Sequence, residues 1–412
     1  MKNDTGLKRN LSWTTAGMVM YNMAVWVFSV LILKMLGAEA SGYYAIAVSV
    51  GNTLYALSLW GLRSFIAADA ENKYSADEYF SARMAGIAAA LVILGIVLAV
   101  SRYDAAQNSI LILYTLYKCS EAAIEVLDCF CQRRLQMNIN AGSMILRSIL
   151  FTVIFYLSLR FTASMNTAFA LLVIAALAVM LLYNLPRVRR IEPMTCRIRW
   201  NSRTVEILKQ TFPIMAFELL SALAVALPRL FFERTGSLSE LGIYTTIYTL
   251  VVFLQLVINV MIYTFAPYMA KAYSAGDRKT FGRYCVMLFG GSLALGLLAE
   301  AAVAIMGKPV IGLVFGAEAA ARTGYLYLGI LSGVSLTYTW IFSQIFVVVH
   351  RSAEQLKCSL ISVAACFVLS ALLVKAESCD SMSVVLILSN IIFMAVSLYL
   401  LRDEAAKLFR TR

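Results

Sequence analysis

Four ionisable residues, Lys118, Glu121, Glu125 and Asp128, interrupt an otherwise apolar run at spacings of three, four and three positions. On a helix this spacing aligns them on one stripe. At bilayer depth each such group costs about 3 kcal/mol or more, so the stripe must face protein or a water-filled cavity and not lipid. Two arginines in neighbouring apolar runs, Arg63 and Arg147, fall at a depth similar to Glu125 and Asp128, so these groups can meet. Two chemistries are open to them. Arg147 can pair with Asp128 or Glu125 and fix helix packing, or a guanidinium can present its planar donors to the oxygens of a phosphate. Arg63 has no acid within one turn of its own helix, so its partner comes from another helix or from a ligand. A later run carries Glu218 near mid-depth and Arg229 near its far end, together with Pro213 and Pro228. Pro228 removes a backbone hydrogen bond where the helix can bend. Glu218 is then a candidate protonation site, with a packed acid hydrogen-bonded to a neighbour as the competing reading. Lys118, Glu121, Glu125, Asp128, Glu218 and Arg229 together form a candidate coupling or charge network.

The elements that position these groups follow from composition. The chain has 412 residues, of which 61% are hydrophobic and 14% charged, too few polar groups to cover a water-facing surface. Backbone groups in lipid must be paired within each segment, so apolar runs of this length are expected to be helices, and the alternation of a barrel is absent. We expect an all-α polytopic membrane protein of about twelve transmembrane helices. The spans expected in the first half are 12–33, 43–67, 84–101, 109–131, 141–159 and 163–184. Those in the second are 207–231, 241–267, 284–305, 322–348, 357–374 and 382–401. The first span is too long for the core of a cleavable signal and lacks a small-residue cleavage site. Between the halves, 185–206 carries Pro186, Pro193 and six arginines and is expected to be a basic cytoplasmic linker joining lobes 1–184 and 207–412.

The net charge of +12 does not point to nucleic acid, because of where the charges lie. On this topology 24 of the 35 Lys/Arg fall on one side of the membrane and only 7 on the other, so that both termini are expected to be cytoplasmic. Eight scattered cysteines imply no disulfide framework, and a single histidine, His350, excludes the usual histidine-based metal sites and catalytic triads. No Walker A sequence is present, and neither a cofactor nor a metal is expected. A faint repeat relates 42–83 to 242–283: 7 of 42 positions are identical, including Gly42, Tyr44, Asp77 and Arg83 with their counterparts 200 residues on. Six spans per half make such a duplication parallel, with a pseudo-axis along the membrane normal, a geometry suited to two lobes rocking about a central cavity.

Leu36-Gly37 through Gly42-Tyr43-Tyr44, the segment Trp60-Gly61-Leu62-Arg63 and the charged loop ending at Arg83 resemble the opening of Wzx-type polysaccharide flippases. These belong to the multidrug/oligosaccharidyl-lipid/polysaccharide exporter superfamily, and the resemblance extends over the whole chain in length, span count and midpoint linker. It implies translocation of an undecaprenyl-diphosphate-linked oligosaccharide across the bacterial cytoplasmic membrane for O-antigen, capsule or exopolysaccharide synthesis. It also implies alternating access driven by H+, Na+ or the membrane potential, alongside polysaccharide polymerase machinery. Lipid II flippases of the superfamily usually have fourteen helices, more than this chain can form. On this reading Arg63, with Arg147 as a second candidate, binds the diphosphate. Asn22, Asn52, Gln255 and Asn259 line the sugar path with Tyr21, Tyr55, Tyr248 and Tyr263, unless they serve only in interhelical hydrogen bonding and interfacial anchoring.

Two other functions compete. A drug or cation exporter of the same superfamily needs unpaired acids or aromatics, whereas Arg63, Lys118 and Arg147 favour an anionic cargo. A membrane polymerase or glycosyltransferase needs a large extracytoplasmic catalytic loop, and every expected outer loop is short.

Overall fold

The computed structural model describes residues 2–69, 72–375 and 378–402, without the side chains of 2–12, 14, 68, 263 and 352. The described residues are helical almost throughout, and fall into two compact units, Met1–Ala222 and Leu223–Arg412.

Unit 1 contains α1 (Lys2–Leu36), α2 (Ala38–Leu59), a short α3 (Leu62–Ala68), α4 (Ala76–Ser101), α5 (Ala105–Arg133), α6 (Met137–Thr162), α7 (Met165–Val179) and α8 (Leu185–Ile191), then the first half of α9 (Ser202–Thr235). Among the described residues eleven helical segments are long and apolar enough to cross a membrane. The missing twelfth is α5, which at 29 residues is long enough but carries the charged stripe. Its charges are tolerated because it is the central helix: 19 of its residues are buried, and α2, α3, α4, α6, α7 and α8 all pack on it. The chain is thus a multi-pass membrane protein, with twelve long helical segments among the described residues.

Local signals set the helix starts. Ser75 and Glu78 form a reciprocal capping box at the head of α4, and Asp104 and Ser164 cap α5 and α7 through their side-chain oxygens. The core of unit 1 has two apolar blocks along α5. One joins Phe28, Tyr44, Tyr114, Tyr117, Phe155 and Phe169; the other joins Leu62, Tyr79, Val126, Phe130, Val188 and Ile207. The stripe from Glu121 to Asp128 lies where the two blocks meet.

The segment after α8 is extended and tied down. Asp77 accepts hydrogen bonds from the backbone N–H groups of Thr195 (2.9 Å) and Cys196 (3.0 Å) and from the Thr195 hydroxyl (2.6 Å), Ser81 accepts from the Arg199 N–H (2.8 Å), and Asn201 donates to Glu78 (3.0 Å). Next to it, Glu192 pairs with Arg133 (2.8 Å) and Arg134 (2.7 Å), which holds the Arg134 guanidinium above its ordinary range.

Unit 2 contains the second half of α9, α10 (Leu238–Ser274), α11 (Arg278–Phe315), a short α12 (Ala317–Ala321), α13 (Tyr325–Val348), α14 (Ser352–Leu373) and α15 (Asp380–Leu400). Here α13 takes the central place, packed by α10, α11, α14 and α15. Its buried polar groups are hydroxyls, including Ser332, Ser335, Thr337 and Ser343, and it carries no charge. Of the two central helices only α5 carries acidic and basic residues.

Candidate functional site

The site grows from a break in the second span. α2 ends at Trp60 (φ 50°) and Gly61 (φ 62°), two consecutive left-handed residues, and α3 restarts at Leu62. Gly61 is required here twice over: its φ is costly for any side chain, and a Cβ would lie 2.7 Å from Ile214 of α9. Trp60 fixes the corner by donating its indole N–H to the Leu208 carbonyl at 3.1 Å. The break aims Arg63 at α5. A second close approach, at Gly86, where a Cβ would be 2.8 Å from the Ser58 carbonyl, lets α4 press against the end of α2 and brings in Arg83.

Glu125 is the meeting point. Arg63 Nε donates to its Oε1 at 2.6 Å and Arg83 Nη2 donates to its Oε2, while Arg83 Nη1 reaches the Ser58 carbonyl at 3.0 Å. The two arginines differ in surroundings. Arg83 has no exposed side-chain surface, whereas the Arg63 side chain is 48% exposed. One turn to either side, Arg147 bridges Glu121 (2.8 Å) and Asp128 (3.2 Å) and lies 5.3 Å from the Tyr21 ring, whose hydroxyl donates to Glu121. Asp128 also accepts from Asn184 (3.1 Å), which in turn accepts from Ser143 (3.0 Å). Asn184 closes a π turn, Met180–Asn184, a local widening common at functional positions.

Lys118 stands apart from these pairs. It forms no ion pair within 4 Å among the described residues. Its ammonium instead lies 5.1 Å from the ring centroid of Tyr55, 5.7 Å from that of Tyr114 and 5.6 Å from that of Tyr117. The Tyr114 hydroxyl donates to Asn52 at 3.1 Å, and Asn52 is exposed.

The structure therefore gathers the buried Glu121, Glu125, Asp128 and Arg147 and the half-exposed Arg63 into one cluster, with Lys118 outside its ion pairs. The pairing of Arg147 uses Asp128 and Glu121, not Glu125, because Arg83 and Arg63 occupy both oxygens of Glu125. Glu218 is half-buried on α9, makes no ion pair among the described residues, and feels the charges of Glu125, Arg83 and Arg63. Asn22 donates to the Met18 carbonyl of its own helix (2.8 Å). Arg229, Gln255 and Asn259 belong to unit 2. There Arg229 is buried over the Tyr248 ring at 5.3 Å, Gln255 is buried with its amide nitrogen unpartnered, and Asn259 is half-buried. Tyr248 also bonds Ser332 (3.3 Å), so both its face and its hydroxyl are engaged. The side chain of Tyr263 lies outside the described residues.

Sequence reasoning missed Arg83 and Asn184 as members of the cluster. Arg83 carried a legible signal, an arginine at the start of an apolar run with no acid three or four residues away. Asn184 carried none, since only the π turn points it at Asp128.

Two helical units, the first built around the charged, buried α5, define the class: a polytopic membrane protein with the fold of the multidrug and lipid exporters. A solved lipid II flippase MurJ, in an inward closed conformation, superposes with a TM-score of 0.72 at 12% identity, covering 94% of this chain and 87% of that one. A mutant of the Vibrio cholerae MATE transporter VcmN superposes with a TM-score of 0.62 at 14% identity, covering 100% of both chains. The chain belongs to the polysaccharide biosynthesis protein family, which it matches over residues 7–273. A capsular polysaccharide biosynthesis protein, CapF of Staphylococcus aureus, is 22% identical over 318 residues, 75% of this chain and 78% of that protein.

Proposed function

We propose that this protein is a flippase for an undecaprenyl-diphosphate-linked oligosaccharide in the bacterial cytoplasmic membrane, serving surface polysaccharide synthesis and not itself an enzyme. The reading takes its cargo class from the family and its relatives, and its chemistry from one observation: Arg63 is half exposed, while the acid that holds it is buried and shared with Arg83. Glu125 needs only one guanidinium for neutrality. With Arg83 in place, Arg63 keeps its two terminal nitrogens for a diphosphate, which a guanidinium matches with paired donors. Arg147 has both terminal nitrogens on carboxylates and serves as the internal counter-charge that lets α5 carry acids at this depth.

On this reading both termini are cytoplasmic, lobes 1–184 and 207–412 flank the linker 185–206, and transport follows alternating access. Glu218, a half-buried acid without an ion pair among the described residues, is the site for a coupling H+ or Na+. The same acid is what a cation exporter would use, so the test must separate the two functions. In a strain lacking the gene, lipid-diphosphate oligosaccharide is expected to accumulate on the inner leaflet and surface polysaccharide to be lost. The wild-type chain restores both and Arg63→Gln does not. Normal surface polysaccharide together with sensitivity to cationic dyes would assign the chain to drug export instead.

A further inference from the structure

Lys118 forms no ion pair among the described residues: each acid on α5 has an arginine at ion-pair distance, and Glu121, one turn away, acts on the ammonium only at longer range. Glu125 takes Arg63 and Arg83, and Glu121 and Asp128 share Arg147. The Lys118 ammonium meets no carboxylate within ion-pair distance and is held by the faces of Tyr55, Tyr114 and Tyr117. Cation–π contacts attract an ammonium to the ring faces, yet they accept none of its hydrogen bonds. The cage is open on one side: Lys118 and Tyr55 are only partly buried, and Asn52, which accepts from Tyr114, is exposed. An ordered cation with unused donors, an aromatic face and an exposed amide together form a subsite for an anionic sugar. The ring stacks on tyrosine, the amide meets hydroxyls, and the ammonium takes an oxyanion.

The helix also sets the distance. Lys118 and Glu125, where Arg63 docks, share one stripe two turns apart, about 10 Å along the axis, roughly the reach of the first two sugar residues from a diphosphate. We propose that the cage of Lys118, Tyr55, Tyr114 and Asn52 is a subsite for a carboxylate-bearing sugar close to the diphosphate, so that the flippase prefers acidic oligosaccharides. This rests on the flippase reading and adds to it the class of sugar.

The test uses the full chain in lipid nanodiscs and three synthetic polyprenyl diphosphates: one without sugar, one with a neutral trisaccharide, and one with the same trisaccharide whose second hexose is a uronic acid. The wild-type chain is expected to bind the uronic acid lipid about tenfold more tightly than the neutral one, the gain of one charge-assisted hydrogen bond. Lys118→Gln is expected to bring that ratio to about one, and Lys118→Arg to retain a preference for the acid. Equal wild-type binding of the acidic and neutral lipids overturns the subsite. So does a Lys118→Gln loss of equal size on the sugar-free diphosphate, which would make the diphosphate itself the anion at Lys118. Arg63→Gln is expected to weaken all three probes. If it weakens none, the diphosphate reading at Arg63 fails, while an acid preference that depends on Lys118 still stands.

Discussion

Replacing Glu125 by glutamine isolates the energetics of the cluster. The change keeps the side-chain shape and removes the charge that Arg83 and Arg63 share. Arg83 has no exposed surface, its Nε has no partner among the described residues, and after the substitution only neutral oxygens, the Ser58 carbonyl and the glutamine amide oxygen, are left to accept from it. Breaking a buried pair by removing one partner costs about 3–5 kcal/mol, because a charge remains desolvated and unmatched. For a cooperative unit of this size each kcal/mol lowers Tm by about 2–4 °C, so the expected loss is roughly 6–20 °C in detergent-solubilised protein. Arg63→Gln leaves Glu125 matched by Arg83, and because Arg63 is half exposed the loss should stay within about 1 kcal/mol. The double variant Glu125→Leu with Arg83→Met removes both buried charges and should recover most of the stability. Thermal unfolding followed by tryptophan fluorescence measures all three. Equal shifts for Glu125→Gln and Arg63→Gln, or a double variant less stable than Glu125→Gln alone, would refute this account of the cluster.

Gly61→Ala places a Cβ against Ile214 at a left-handed φ and should destabilise the corner by about 1–3 kcal/mol, with transport falling further than stability because Arg63 is displaced. Asp77→Ala removes three hydrogen bonds to Thr195 and Cys196, so limited proteolysis should cut 192–201 several-fold faster while the helical signal in circular dichroism is kept. Asp277 caps α11 through the Thr280 N–H (3.0 Å), which holds its carboxyl below the ordinary range. The cap therefore contributes fully above the unfolded-state value near pH 4 and is lost as pH falls through the lower folded value. Hydrogen exchange in the first turn of α11 should accelerate over that acid window in the wild type, and in Asp277→Ala at all pH values.

The repeat shows how far the sequence alone reaches. Tyr44 and Tyr244 are both buried aromatics of their units, as equal positions in a duplication should be. Asp77 and Asp277 are not equivalent: the first is inside α4 and holds the extended segment after α8, the second caps α11. Arg83 is fully buried on Glu125, whereas Arg283 is exposed. Identical residues at equal offsets do not make the same contacts.

The sequence by itself determined the class of molecule. Apolar runs long enough to span, separated by basic or polar turns, admit only helices, and charges at a spacing of three and four admit only a helix whose charged stripe turns away from lipid. Both are properties of a single segment and its solvent. What each charge meets was decided by tertiary structure. Whether Glu125 answers to Arg147 or to Arg83, and whether Lys118 pairs with an acid or rests among tyrosines, depends on a broken helix at Trp60–Gly61, a glycine contact at Gly86 and a π turn before α8. Electrostatic partners are chosen over a few ångströms, and helix periodicity does not fix the rotation and approach of neighbouring helices to that tolerance.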